Sequence, residues 1–335
     1  MAYPIIVSLP SPTVVTRHGL SNKSLGTRQV DVSPLFRSCG LKSNVTVELN
    51  DSTYDVNPRE PKNNWLYPAF KAFQIIAQRR KVNSFASVGT GPAIDGIGAI
   101  EIFQPNEVIL TDVNPNVIPK ADENINNYLS NNHRSVRYGS FTGNLCDPLI
   151  QSRLMVDLAY GNLPNIPESG IDFRTMDSSS FAHSSLSTGV PDIYRDHLLS
   201  TQYKYLLSAK NCLNPKGEVL VNLGGRVPNE LVEGMFMECG YFPKITFSML
   251  KLQTEADIVL DGYSKYETRD IKFDFYLFDE GLRLLSGTGE DLPPKLIKDE
   301  LNNCGLRINA KDALSLHRRG NRIGHIVNVI SGIPS

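Results

Sequence analysis

The chain has 335 residues, with 34 lysines and arginines against 35 aspartates and glutamates, 41% hydrophobic and 21% charged residues. Those proportions exclude a disordered, collagen-like or coiled-coil protein and leave room for one large domain with an appendage. The near-zero net charge offers no global positive field, so bulk nucleic-acid binding is not expected.

In chain order, the N-terminus MAYPIIVSLPSP lacks a basic n-region and has its apolar run broken by Pro4 and Pro10, so a signal peptide is not expected. No apolar stretch approaches the ~18 residues that span a bilayer, and the expectation is a cytoplasmic protein without membrane partners. Residues 1–60 read as a lid rich in Ser, Asn, Pro and Thr; its alternating segment VTVELNDSTYDV predicts a β-hairpin turning at Asp51 and Ser52. From Asn64, Phe70, Phe73, Ile75 and Ile76 recur at helical spacing and basic residues close the segment, which predicts an amphipathic helix.

The strand FASV, the glycine turn GTGPAIDGIGAIEIF entering a helix, and the strand EVILTD then form a βαβ unit. A helix KADENINNYLSNN, strands around SVRYGS and LMVDLAYGN, a helix from about Arg195 to Asn211, a strand EVLVNLGG, a helix NELVEGMFMECG and a strand KITFSMLKL follow. This alternation predicts an α/β fold, a mostly parallel doubly wound sheet, over residues 61–254. In residues 255–335, FDFYLF and HIVNVIS compete as the final strand of that sheet. If HIVNVIS is the final strand, residues 255–320 form an insertion open to homodimerisation or to facing a substrate. The five cysteines are far apart and lack C-x-x-C spacing, so they read as reduced structural thiols rather than metal ligands.

The turn Gly89-Thr90-Gly91-Pro92-Ala93 lets backbone approach a ligand and presents free N–H groups at a helix start. Asp112, about 20 residues on at the end of the next strand, is placed to accept both ribose hydroxyls of an adenosine. The third glycine of a dinucleotide fingerprint is replaced by Ile94, and Pro92 stiffens the loop. S-adenosylmethionine, which has no phosphate to cradle, fits this pattern better, with a dinucleotide still open.

In order, WLYP, SVGTGPAI, LTDVNP, GNLCDPL, DLAYGNLPNIP, SLSTGVPDIYR and LNPKGEVLVNLG make residues 64–250 resemble the class I S-adenosylmethionine-dependent methyltransferases, within them the release-factor glutamine N-methyltransferase group. The resemblance implies a Rossmann-like methyltransferase fold. It implies that Gly89 and Gly91, with Val88 and Thr90, line the methionine portion of the cofactor, that Asp112 binds the ribose, and that Asn144 faces the adenine. The family's Asn-Pro-Pro-aromatic tetrad reads here Asn162-Leu163-Pro164-Asn165, in which Asn162 either orients a donor nitrogen toward the methyl group or caps the turn before Pro164.

The sequence departs from the family at Asn165, which replaces the stacking aromatic, and at Ser87, where an acidic residue is usual. A small nitrogen or carboxylate acceptor is therefore expected rather than a glutamine amide or nucleobase, with Asn162 and Tyr160 positioning it and Tyr67, Pro164, Asn165, Phe181 and Tyr194 lining its site. A related branch of the fold cyclises the same cofactor to azetidine-2-carboxylate with release of methylthioadenosine, for which Tyr160, Tyr67, Phe181 and Tyr194 are candidates for a cage around the sulfonium. A fold relative that binds without turnover is the third reading. His183 and His197 are either general bases or surface residues.

Overall fold

The computed structural model describes residues 26–51, 53, 56–167, 188–287 and 292–335. Strand β1 (Thr27–Asp31) pairs antiparallel with β2 (Thr46–Asn50), with the short helix α1 (Ser33–Ser38) between them. The alternation in VTVELN thus fixes which face is buried, with Val45, Val47 and Leu49 inside. It does not fix the partner. The strand pairs upstream with β1, since register follows the buried face wherever a matching edge is available, and the turn expected at Asp51 and Ser52 runs into residues outside the described ones.

Helix α2 (Leu66–Arg79) starts where the Asn64 side chain accepts the Leu66 N–H at 3.1 Å, and it buries Phe70, Phe73 and Ile76. Ile75 falls off that stripe and stays partly exposed. There follow β3 (Ser84–Val88), α3 (Ile94–Phe103), β4 (Glu107–Asp112), α4 (Ile118–Asn131), β5 (Arg137–Thr142), α5 (Asp147–Gln151) and β6 (Val156–Gly161). Next come α6 (Asp192–Asp196), α7 (Ser200–Ala209), β7 (Leu213–Gly224), α8 (Asn229–Glu238) and β8 (Tyr241–Leu252). The single helix expected from Arg195 to Asn211 is two, because Leu198 takes a left-handed conformation at φ 60° between α6 and α7.

After α9 (Ala256–Tyr266), β9 (Phe275–Leu277), α10 (Phe278–Gly287), α11 (Leu296–Asn303), β10 (Arg307–Ile308) and α12 (Ala310–Arg318), the chain returns through β11 (Ile323–Pro334). The main sheet has the order β5-β4-β3-β6-β7-β11-β8. Strands β5, β4, β3, β6 and β7 pair in parallel, and β11 lies antiparallel between β7 and β8. HIVNVIS is therefore the final sheet strand, and residues 255–320 leave the sheet and return to it. They also extend it: Gly324 pairs with Leu252 of β8 on one side and with Tyr276 of β9 on the other, so β9 occupies the edge that β7 uses further along β11. Helices α2, α3 and α4 pack one apolar core against one face of the sheet, with a second core around α7, α8, α9 and α12 on the other. All of β3 is buried, as a strand covered on both faces must be.

Candidate functional site

In an open parallel sheet, ligands bind beyond the carboxyl ends of the strands where the connections part to opposite sides. Here that point is the end of β3, flanked by β4 on one side and β6 on the other. The glycine turn follows β3, Asp112 ends β4, and the Asn162 loop follows β6. The tertiary structure thus brings together three segments that the sequence separates by up to seventy residues.

The turn is built on left-handed backbone at Gly89 (φ 71°), Gly91 (φ 52°) and Ala93 (φ 64°), the last at the entry of α3. The N–H groups of Gly89 and Thr90 both donate to the Thr111 carbonyl, at 2.8 and 3.0 Å. The Asp112 carboxylate accepts the Gly91 N–H at 3.0 Å on one oxygen and the Asn114 N–H at 2.9 Å on the other. Each oxygen keeps a further lone pair for a ligand hydroxyl. Burial pushes this carboxyl upward against those bonds. Val88 and Thr90 are buried as the inner wall of the turn, and exposed Asn144 follows Gly143, whose N–H donates to the Asp112 carbonyl at 2.9 Å. The N-terminal strands reach the turn through Asn124 of α4, which bonds both the Glu48 backbone and the Pro92 carbonyl, the latter at 3.0 Å.

Sequence reasoning missed Asp95. Its buried carboxylate accepts the Ser87 hydroxyl at 2.7 Å and the Gly96 N–H at 2.8 Å, with the Thr90 hydroxyl at 3.3 Å. The acid absent from position 87 at the end of β3 is thus supplied from the first turn of α3. An aspartate in the first turn of a helix that is apolar except for Glu101 was the available signal.

The loop after β6 abuts the glycine turn. A Cβ placed on Gly89 would stand 3.0 Å from Leu163 Cδ2, closer than ordinary contact, so a side chain there would press on Leu163. The loop is held from outside: buried Gln202 donates to the Leu163 and Pro164 carbonyls at 2.9 and 3.2 Å, and the Tyr263 hydroxyl donates to the Asn165 carbonyl at 2.7 Å. The Asn165 amide donates to the Gly224 carbonyl at 3.3 Å. Asn162 is partly exposed, and its side chain is bonded to none of the described residues. Pro164 beside it is also partly exposed.

Two of the tyrosines expected to meet the acceptor are buried. Tyr160 is fully buried, its ring 5.1 Å from that of Phe73 and its hydroxyl 3.4 Å from Asn222 Nδ2, which makes it a core residue. Tyr194 is also buried, stacked on Tyr203 at 5.4 Å and donating to Glu238 at 2.8 Å. Alternation along β6 and packing between α6, α7 and α8 decide these orientations. Asn165 is buried with its amide nitrogen committed to the β7 backbone, which makes it a peg for the loop before anything else. Tyr67 is partly exposed on α2, with Lys71 Nζ 5.8 Å from its ring centre. Phe181 and His183 lie outside the described residues. His197 is partly exposed, and its Nδ1 sits 2.7 Å from the Ile193 carbonyl.

Among the described residues no helix is long and apolar enough to cross a membrane, and no group of His, Cys, Asp and Glu is arranged to hold a metal ion. All five cysteines are free thiols, and only Cys304 is exposed.

No family model and no curated protein matches the chain. Among solved structures, it is similar to a precorrin-6y C5,15-methyltransferase from Geobacter metallireducens at 11% identity, covering 79% of this chain and 87% of that one with a TM-score of 0.37. It is similar to a ribosomal protein L11 methylase from Lactobacillus delbrueckii subsp. bulgaricus at 15% identity, covering 60% and 77% with a TM-score of 0.37. A methyltransferase from Pyrococcus furiosus is similar at 17% identity, covering 56% and 77% with a TM-score of 0.35. At such scores these likenesses add no weight to the strand order itself. That order, with five parallel strands and the reversed β11 inserted between β7 and β8, is a Rossmann-like α/β fold.

Proposed function

We propose that the protein is an S-adenosylmethionine-dependent methyltransferase acting on a small molecule. The observation that carries this reading is the contact of Leu163 with Gly89, which sets the Asn162 loop against the glycine turn at the end of β3. Asp112 has the lone pairs to hold the ribose hydroxyls, Asn144 stands beside it on the adenine side, and Gly89 and Gly91 line the space left for the methionine portion. When bound, S-adenosylmethionine supplies an electrophilic methyl group whose departure leaves a neutral thioether. The protein has correspondingly little acid–base work to do, and catalysis rests on positioning. Asn162 offers a carbonyl oxygen that accepts an N–H from the acceptor and turns its lone pair inward. Asp95 braces the turn from below through Ser87 and Thr90.

The test is to incubate the purified protein with S-adenosylmethionine, alone and with a panel of small amines and acids, and to follow nucleosides by mass spectrometry. S-adenosylhomocysteine with a methylated acceptor is the expected result. Methylthioadenosine without any acceptor would instead establish cyclisation, and saturable binding without product would leave a binding protein.

A further inference from the structure

On the α2 face of the sheet, beyond the end of β7, three basic side chains are buried together. Arg226 and His325 have no exposed surface, and Lys251 is 1% exposed. Lys251 and His325 sit directly opposite each other across β8 and β11, which places their Cβ atoms about 5 Å apart on one face. Arg226 follows Gly224 and Gly225, and its guanidinium folds back over Gly224 so closely that a Cβ there would stand 2.1 Å from Nη1. Aromatic rings frame the group: Tyr263 lies 5.1 Å from the guanidinium carbon, and Trp65 lies 5.0 Å from Lys251 Nζ and 5.4 Å from the His325 ring.

Their polar atoms are largely unspent. Arg226 donates through Nη2 to Gln253 at 2.8 Å, while Nε and Nη1 have no acceptor and neither His325 nitrogen has a partner among the described residues. Lys251 Nζ reaches only the neighbouring Leu252 carbonyl, at 3.3 Å. No described carboxylate forms an ion pair with any of the three. The fold does satisfy a buried lysine close by: Lys298 meets Asp274 at 2.6 Å and the Gly225 and Val227 carbonyls at 3.2 and 2.6 Å. Glu60 lies near enough to favour the charged form of Lys251, but it forms no ion pair with it; burying cations so weakly compensated is costly, so this cluster beside a paired lysine marks a place for an anion. Burial, together with repulsion within the cluster, depresses both Lys251 and His325.

The cluster adjoins the Asn162 loop. Tyr263, whose ring faces Arg226, donates its hydroxyl to Asn165, and Asn165 in turn bonds Gly224. We propose that Arg226, Lys251 and His325 bind the carboxylate of a small acceptor, and that the methylated atom is a separate nitrogen of the same molecule, held by Asn162. The inference rests on the methyl-transfer reading and narrows its acceptor to an amino-carboxylate. A carboxylate clamped by cations has its charge withdrawn and is a poor nucleophile, whereas a neutral amine keeps its lone pair. The acceptor nitrogen forms the new N–C bond as the C–S bond of the donor breaks, sulfur keeps the bonding pair, and the nitrogen sheds a proton to solvent.

Thermal unfolding at constant ionic strength, in chloride against acetate and against β-alanine, tests the site without turnover. The wild type is expected to gain stability in both carboxylates. Lys251→Met and Arg226→Met should lose that gain, with Lys251→Met as stable as the wild type or more so in chloride, because a buried unpaired charge has gone. Absence of a carboxylate effect in the wild type overturns the proposal, as does Lys251→Met being less stable in chloride. Calorimetric titration of Lys251→Met with S-adenosylmethionine is expected to match the wild type within twofold. A loss of tenfold or more assigns the cluster to the donor's own carboxylate and overturns the acceptor site. If the wild type itself fails to bind S-adenosylmethionine, the methyl-transfer reading falls, and the carboxylate shift still reports on the anion site.

Discussion

On the proposed reading Asn162 serves the acceptor and Asp112 the cofactor, and their variants should separate cleanly. Asn162→Ala is expected to lower turnover by about 10²-fold, the scale of single polarising groups in other enzymes, with unchanged S-adenosylmethionine affinity; unaltered turnover in the folded variant would refute the positioning role. Asp112→Ala should weaken cofactor binding by about 1–3 kcal/mol through lost charge-assisted hydrogen bonds, read by calorimetry. Asp95 makes a different prediction. Burial pushes its carboxyl up to about 6, against the hydrogen bonds from Ser87, Gly96 and Thr90. The native state therefore holds this proton more tightly than the unfolded chain, where the value is about 3.9. Its contribution to stability is fully present below about pH 4 and is lost as pH rises through about 6. Relative to Asp95→Asn, the unfolding free energy of the wild type should fall across that window and run parallel outside it, and a constant difference across it removes the buried-charge assignment.

Between elements, the packing of α2 on α3 carries the glycine turn, because α3 begins where the turn ends. The contact is close at Gly98, where an added Cβ would lie 2.1–2.8 Å from the ring of Phe70. Gly98→Ala must push the two helices apart or turn Phe70 off its rotamer, an overpacking cost of about 1–3 kcal/mol measurable by denaturant unfolding. Because α3 holds Asp95, the same variant should also weaken S-adenosylmethionine binding. The insertion acts on the other side of the site. Lys298 of α11 and Tyr263 of α9 anchor the Gly225–Val227 and Asn165 backbones, so residues far along the chain fix the loops that follow β6 and β7.

For the molecule as a whole, the cation cluster sets a pH dependence distinct from that of Asp95. Burial, and then repulsion from Arg226, pushes Lys251 down to about 7, with Glu60 opposing. Between about 7 and the unfolded value of about 10.4 the unfolded chain holds a proton that the native state has released. Stability should therefore rise with pH across that interval, and the rise should be absent from Lys251→Met; parallel profiles for the two proteins would show that the lysine does not titrate there. Bound carboxylate should flatten the slope as well, by restoring the proton to Lys251.

Period and composition were enough for the sequence to determine the α/β class, the βαβ unit around Gly89, and most strands and helices from α2 to β8, since each needs only local alternation or helical spacing; β1, α1, α5 and the break between α6 and α7 were not among them. The glycine turn and Asp112 were legible because their spacing follows from one strand–helix–strand passage. Three-dimensional packing decided the rest. The face of β6 on which Tyr160 lies, the upstream partner of β2, the place of β11 between β7 and β8, and the approach of Arg226, Lys251 and His325 all depend on contacts between residues distant in the chain. A sequence pattern records which residues must be buried, but it does not record against what, and the chemistry of a site is set by what each buried group meets.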